Sequence, residues 1–178
     1  MIINICLLMA TLSFSNCDKK QYESYPPSDN ENISVSETKE HLTIHSTIAD
    51  VLTHPAFNGF SRYILPLEWG YDANMQLSNV SRLLPYHNYI DAERCVGYIN
   101  QMIDSVATGR RIYYDLGRED AGLFFFRGRP GAPFAVICPG GGFSYVGSIH
   151  EGFPHALVLS QMGYNVFVIQ YQTGSAQT

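Results

Sequence analysis

Pro133-Phe134-Ala135-Val136-Ile137-Cys138-Pro139-Gly140-Gly141-Gly142-Phe143 sets an apolar run against three consecutive glycines. The uninterrupted apolar residues from Phe134 to Cys138 predict a strand buried on both faces, as in parallel sheets. Glycine tolerates positive φ and lets another molecule approach the main chain, so the turn after this strand can present bare N–H groups to an anion. A Walker phosphate loop is excluded because Gly142 leads into Phe143-Ser144 rather than Lys-Ser/Thr. The dinucleotide fingerprint fails too, since the third glycine is out of register and no acidic residue closes the next strand near Tyr171. An oxyanion-binding loop is the reading left.

Downstream, Ala156 to Met162 has a short helical pattern stopped by Gly163, and Tyr164 to Tyr171 is a second apolar strand. Strand, glycine loop, helix and strand make a βαβ crossover, with the loop at the carboxyl end of its first strand, where open α/β sheets bind ligands. Upstream, Arg111–Leu116 and Gly122–Arg127 read as a strand pair around a polar turn, so the predicted sheet is mixed, mostly parallel. Before it, Asp91 to about Thr108 is the clearest helix. Asp91 caps it, Ile90 is placed to staple onto Cys95, Val96, Ile99, Met102, Ile103 and Val106 form its stripe, and Gly109 stops it.

The amino terminus has a different character. Residues 1–17 have the shape of a signal peptide, an apolar core ending at Ser15-Asn16-Cys17 before Asp18-Lys19-Lys20, with Cys17 the candidate lipidated residue and plain secretion the alternative. Residues 18–46 are polar and read as a flexible tether; residues 47–109 are a helical and irregular extension, and residues 110–178 an α/β domain. Within the extension, core packing is expected of Tyr63, Trp69 and Tyr86, with stacking on sugar rings or acyl chains the alternative. Cys95 and Cys138 sit in apolar patterns and read as inert core thiols, or as a disulfide in an oxidising compartment.

The 178 residues carry a net charge of −5 without a basic cluster, which argues against a nucleic-acid partner. No apolar run reaches the roughly 18 residues of a membrane span, so a membrane link is expected only through lipid on Cys17. His41, His45 and His54 lack partners at zinc-site spacing, and neither a metal nor a cofactor is expected.

From about Arg110 to Tyr171 the chain resembles the amino-terminal half of an α/β-hydrolase, closest to bacterial esterases and lipases of the acetylxylan-esterase-like, carbohydrate-esterase type. The resemblance rests on Cys138-Pro139-Gly140-Gly141-Gly142-Phe143, His150-Glu151-Gly152-Phe153-Pro154 and Gly163-Tyr164-Asn165-Val166-Phe167-Val168. It implies a serine carboxylic-ester hydrolase of the bacterial cell envelope, lipid-anchored or secreted, acting on a small-molecule or polysaccharide ester. Gly141 and Gly142 would supply oxyanion-hole N–H groups, and Gly140 and Phe143 would contact substrate.

No Gly-x-Ser-x-Gly elbow occurs. Ser144 lies in the glycine loop, and His150 and His155 precede the place where the family's serine would come. The expectation is therefore an enzyme fragment, inactive alone, whose nucleophile, acid and histidine lie beyond residue 178. In the family's strand order, the Phe134–Cys138 strand falls between the Tyr164–Tyr171 strand and a missing one, so truncation would leave it a bare edge. The alternatives are a non-catalytic envelope lipoprotein that binds through half a hydrolase fold, and an independent hydrolase using Ser144.

Overall fold

The extension and the α/β segment share one hydrophobic core. Ile48, Phe57, Leu77 and Ile99 from the former are buried in one cluster with Phe124, Phe153 and Val168 from the latter. A computed structural model describes residues 40–84, 86 and 90–174. The signal segment, Cys17 and the tether up to residue 39 lie outside the described residues. Residues 40–46, read as the end of the tether, are instead packed: Leu42 is buried, and its N–H and C=O both bond the Asn100 side-chain amide, each at 2.9 Å.

Helix α1, Ile48–Thr53, starts in a capping box between Thr47 and Asp50, and short 3-10 segments follow at Pro55–Phe57, Ser61–Tyr63 and Leu77–Leu83. Helix α2, Ala92–Ala107, is capped by the Asp91 carboxylate, which accepts the Arg94 N–H at 3.1 Å. Val96, Ile99, Met102 and Ile103 are buried as their spacing requires, and Val106 is half-buried. Its end is a Schellman motif, with Gly109 N–H donating to Val106 C=O and Arg110 N–H to Ser105 C=O.

Strands β1, Tyr113–Arg118, and β2, Ala121–Phe126, form the hairpin, with a bulge between Asp115 and Arg118. Strand β3, Phe134–Ile137, leads through the glycine loop and a wide turn of π-helix, Ser148–Gly152, into helix α3, Phe153–Gln161, and then strand β4, Asn165–Gln170. A second Schellman motif ends α3, with Gly163 N–H donating to Ser160 C=O and Tyr164 N–H to Leu159 C=O.

The sheet order is β1-β2-β4-β3. The sheet is mixed, but "mostly parallel" is corrected for the described strands: β3–β4 is parallel, while β1–β2 and β2–β4 are antiparallel. One face packs against the helices, with Phe124, Phe126, Val166 and Val168 buried and the Phe124 ring 4.9 Å from Phe153. On the other face Tyr114, Phe125, Phe167 and Phe134 form a ring-to-ring series across the four strands, with Phe125 and Phe167 stacked at 4.8 Å.

The expectation that Phe134–Cys138 is buried on both faces is therefore overturned. β3 is an edge strand on a one-sided sheet, with Phe134 69% and Val136 46% exposed. Cys138 at its end is exposed rather than core, and Cys95 and Cys138 are both free. Burial pushes the Cys95 thiol up to about 12, so this one fits the inert reading.

Candidate functional site

The loop after β3 is held from several sides. Tyr171, just past β4, donates its hydroxyl to the Pro139 carbonyl at 2.7 Å. The Glu151 carboxylate, on the π-turn, accepts the Gly140 N–H at 2.7 Å, and Gly147 N–H returns to the Gly140 carbonyl at 2.9 Å. Ser144 and Tyr145 N–H groups both converge on the Gly141 carbonyl, at 3.0 and 3.4 Å. Gly152 lets the turn press onto the sheet, since a Cβ there would lie 2.6 Å from Val168 Cγ1.

The glycines have unequal roles. Gly141 has φ of 151°, and a Cβ on it would stand 1.7 Å from the Tyr145 carbonyl oxygen, so glycine is obligatory. Gly142 has φ of 58°, and Phe143 shares the left-handed region at 63° with its side chain 80% exposed. A bulky residue pays for that conformation, and such outliers gather at functional sites. Among the described residues, the N–H groups of Gly141, Gly142 and Phe143 donate to no other group, whereas the Gly140 N–H is committed to Glu151. Donors able to meet an anion are thus those of residues 141–143, and Gly140 contributes by anchoring.

Ser144 is exposed, and its hydroxyl donates within the loop to the Gly142 carbonyl at 3.5 Å. His150 is turned inward, its side chain 3% exposed, stacked on Tyr145 at 6.1 Å with Nε2 3.8 Å from Glu151 Oε1. His155 is exposed and donates from Nδ1 to the Glu151 carbonyl at 2.6 Å. The three candidates for a nucleophile and base therefore engage different parts of the loop and turn.

The surroundings are acidic and aromatic. The Tyr171 phenol is pushed up foremost by burial and then by the charges of Glu151, Cys138 and Glu68. The Glu68 carboxyl is also raised; desolvation is the largest cause, opposed by N–H groups of Glu68, Val146 and Leu67, although the residue as a whole is exposed.

Trp69 and Tyr86, expected in the core, are corrected to the surface at 49% and 81% exposure, while Tyr63 is half-buried and stacked on Tyr113. The Trp69 ring sits edge-on to Tyr86 at 6.1 Å and to Tyr145 at 5.6 Å, so an aromatic series runs from the surface to the buried His150 ring. Apolar content alone does not separate an aromatic that fills a core from one that lines a surface. Glu151 and Tyr171 were missed as loop anchors because their partners are backbone groups 11 and 32 residues away, a pairing no local pattern announces.

A cavity of about 330 Å³ lies elsewhere, between the last turns of α2 and α3 and the end of β2, lined among others by Arg110, Arg111 and Arg127. Phe126 at that end of β2 pairs with Val166 near the start of β4, so the cavity is at the end of the sheet opposite the glycine loop.

No family model, curated protein or solved structure matches the chain. Among the described residues no group of acidic, histidine or cysteine side chains is arranged to hold a metal, and no helix is long and apolar enough to cross a membrane.

Proposed function

We propose that the chain is the amino-terminal part of a serine carboxylic-ester hydrolase of the bacterial cell envelope, secreted or anchored by lipid at Cys17, and that its glycine loop is the oxyanion site. The observation that carries this reading is the pair of uncommitted N–H groups on Gly141 and Gly142, held in left-handed backbone at the carboxyl end of β3 by Glu151, Gly147 and Tyr171. When a serine oxygen adds to an ester carbonyl, the carbonyl π electrons move onto oxygen, and preorganised N–H donors stabilise that charge as it forms. Loss of one such donor typically costs about 2.7–4 kcal/mol. The edge position of β3, beside β4, agrees with the strand order that the resemblance implies, with the next strand adding at its free side.

The nucleophile, acid and histidine then belong to a continuation of the chain, and the 178 residues alone are inactive. The substrate is an ester of a small molecule or polysaccharide, and the acetylated polysaccharides of the resembling esterases are the first to try. The test is the coding sequence past the Thr178 codon. An in-frame Gly-x-Ser-x-Gly followed by Asp and His codons is the expected result, and a stop there in an intact transcript overturns it. Phosphonate labelling of Ser144 in the folded chain would instead establish an independent hydrolase.

A second reading, a non-catalytic envelope binding module, is favoured by the exposed Trp69–Tyr86 pair continuing through Tyr145 to the loop. A soluble, monomeric 178-residue product that binds saccharide without hydrolysing esters would select it.

A further inference from the structure

We propose that Glu68, Trp69 and Tyr86 form a saccharide-binding subsite beside the glycine loop. That the bound sugar carries the ester rests on the hydrolase reading of the loop. Glu68 and Trp69 are the central residues of a β-turn closed by the Gly70 N–H, which donates to the Leu67 carbonyl at 3.0 Å, with Gly70 left-handed at φ of 88°. This turn docks on the segment that follows the glycines. The Trp69 ring meets the Tyr145 ring at 5.6 Å, and the Glu68 carboxyl is near enough to the Val146 N–H and the Tyr171 phenol to interact with both electrostatically. Tyr145 in turn sends its N–H to the Gly141 carbonyl at 3.4 Å, so one buried residue separates Trp69 from the loop.

These side chains are placed for a ligand rather than for packing. Trp69 and Tyr86 are exposed, and the Trp69 ring is nearly perpendicular to both Tyr86, at 85°, and Tyr145, at 77°. A perpendicular pair covers at most one ring face, whereas a face-to-face stack covers two, so aromatic surface stays open to solvent. Among the described residues Glu68 is in no ion pair, while Asp91, Asp104 and Asp120 each are. A bracing role alone calls for a covered aromatic, and Tyr145, 6% exposed, already fills it. A sugar matches what remains: its C–H faces lie on aromatic rings, and its hydroxyls donate to a carboxylate, which when ionised can only accept. An acyl chain would gain from the rings but would strip water from the carboxylate without offering it a donor. Cation-binding cages enclose their ligand with several rings, whereas Trp69 and Tyr86 lie on an open surface suited to a polymer.

Trp69 is the single tryptophan of the chain, so its fluorescence reports on this subsite alone. The test titrates the full chain with acetylated and unacetylated xylo-oligosaccharides, and with ethyl butyrate and choline chloride as apolar and cationic probes. A saturable change with the oligosaccharides is expected, together with shielding of Trp69 from acrylamide quenching while they are bound, a measurement that needs no variant. Glu68→Ala should weaken the binding about tenfold by the same signal, and Trp69→Ala at least as much by calorimetry. No response to saccharide, an equal response to ethyl butyrate or choline, or undiminished binding in either folded variant would each overturn the subsite. Its failure is separable from that of the hydrolase reading. Saccharide binding by a chain whose coding sequence stops after Thr178 supports the subsite and removes only the ester, whereas a downstream Gly-x-Ser-x-Gly with no saccharide binding overturns the subsite alone.

Discussion

The carboxylate of Glu151 closes on the backbone N–H of Gly140 at 2.7 Å, joining the first glycine of the loop to the wide helical turn 11 residues later. Hydrogen bonds to charged groups contribute about 1.5–3 kcal/mol, and partial solvent exposure of Glu151 puts this one toward the lower end. Glu151→Ala is expected to lower unfolding free energy by about 1–2 kcal/mol and to speed hydrogen exchange at the Gly140 amide. Glu151→Gln, which keeps an acceptor, should fall between. Urea denaturation and amide exchange check both, and unchanged exchange at Gly140 in the alanine variant would show that the clamp does not order the loop.

Gly141 and Gly142 are adjacent and share positive φ, yet their substitutions should separate. A methyl group on Gly142 meets no atom within 4 Å, so Gly142→Ala bears only the left-handed backbone cost, about 1–2 kcal/mol. On Gly141 the Tyr145 carbonyl oxygen would be 1.7 Å away, and backbone must move. Gly141→Ala should therefore lose roughly 3 kcal/mol or more. Denaturant midpoints decide, and equal losses would contradict the packing of Tyr145 against Gly141.

Local chemistry made much of this fold legible. Asp91, Ile90, the apolar stripe and Gly109 mark α2 to within a residue or two, and the polar turn after Leu116 and the run to Tyr171 place the hairpin and the crossover. The glycine triplet also marks the loop in which, among the described residues, the N–H groups of Gly141 and Gly142 donate to no other group. Less legible was which surface each residue meets. The apolar character of Phe134 to Cys138 fits a strand covered on both faces, but coverage depends on what packs beside and above it, and among the described residues β3 has β4 on one side only. Trp69 and Tyr86 were misread for the same reason. Residues 40–46 look like tether by composition, yet one buried leucine and the Asn100 amide dock them on α2.

Burial, and then the neighbouring charges of Tyr63 and Asp115, push the Tyr113 phenol up to about 12 from its ordinary 10.0. The folded state therefore favours the protonated phenol. Its contribution to stability is fully present below pH 10.0 and is lost as pH rises through about 12. Tyr113→Phe keeps the ring against Phe60 and Phe124 and should flatten the fall in unfolding free energy over that interval. Denaturation at pH 9 and pH 11 in both proteins provides the comparison. Parallel declines would assign the alkaline loss to the other raised groups, Cys95, Tyr98 and Tyr171.

Among the described residues, strand β3 pairs with β4 alone, leaving its other edge open beside exposed Phe134 and Val136. An apolar edge with unpaired backbone groups is a template for another chain, and a charge on it is a common natural safeguard. Val136 faces away from the helices, opposite Phe167 in register, so a longer polar side chain has room. Val136→Lys should leave unfolding free energy within about 0.5 kcal/mol of the starting protein, while sharply reducing concentration-dependent association. Light scattering across a dilution series measures the second effect. If association persists undiminished in a folded Val136→Lys protein, the β3 edge is not its origin, and the aromatic series Tyr114–Phe125–Phe167–Phe134 becomes the surface to alter next.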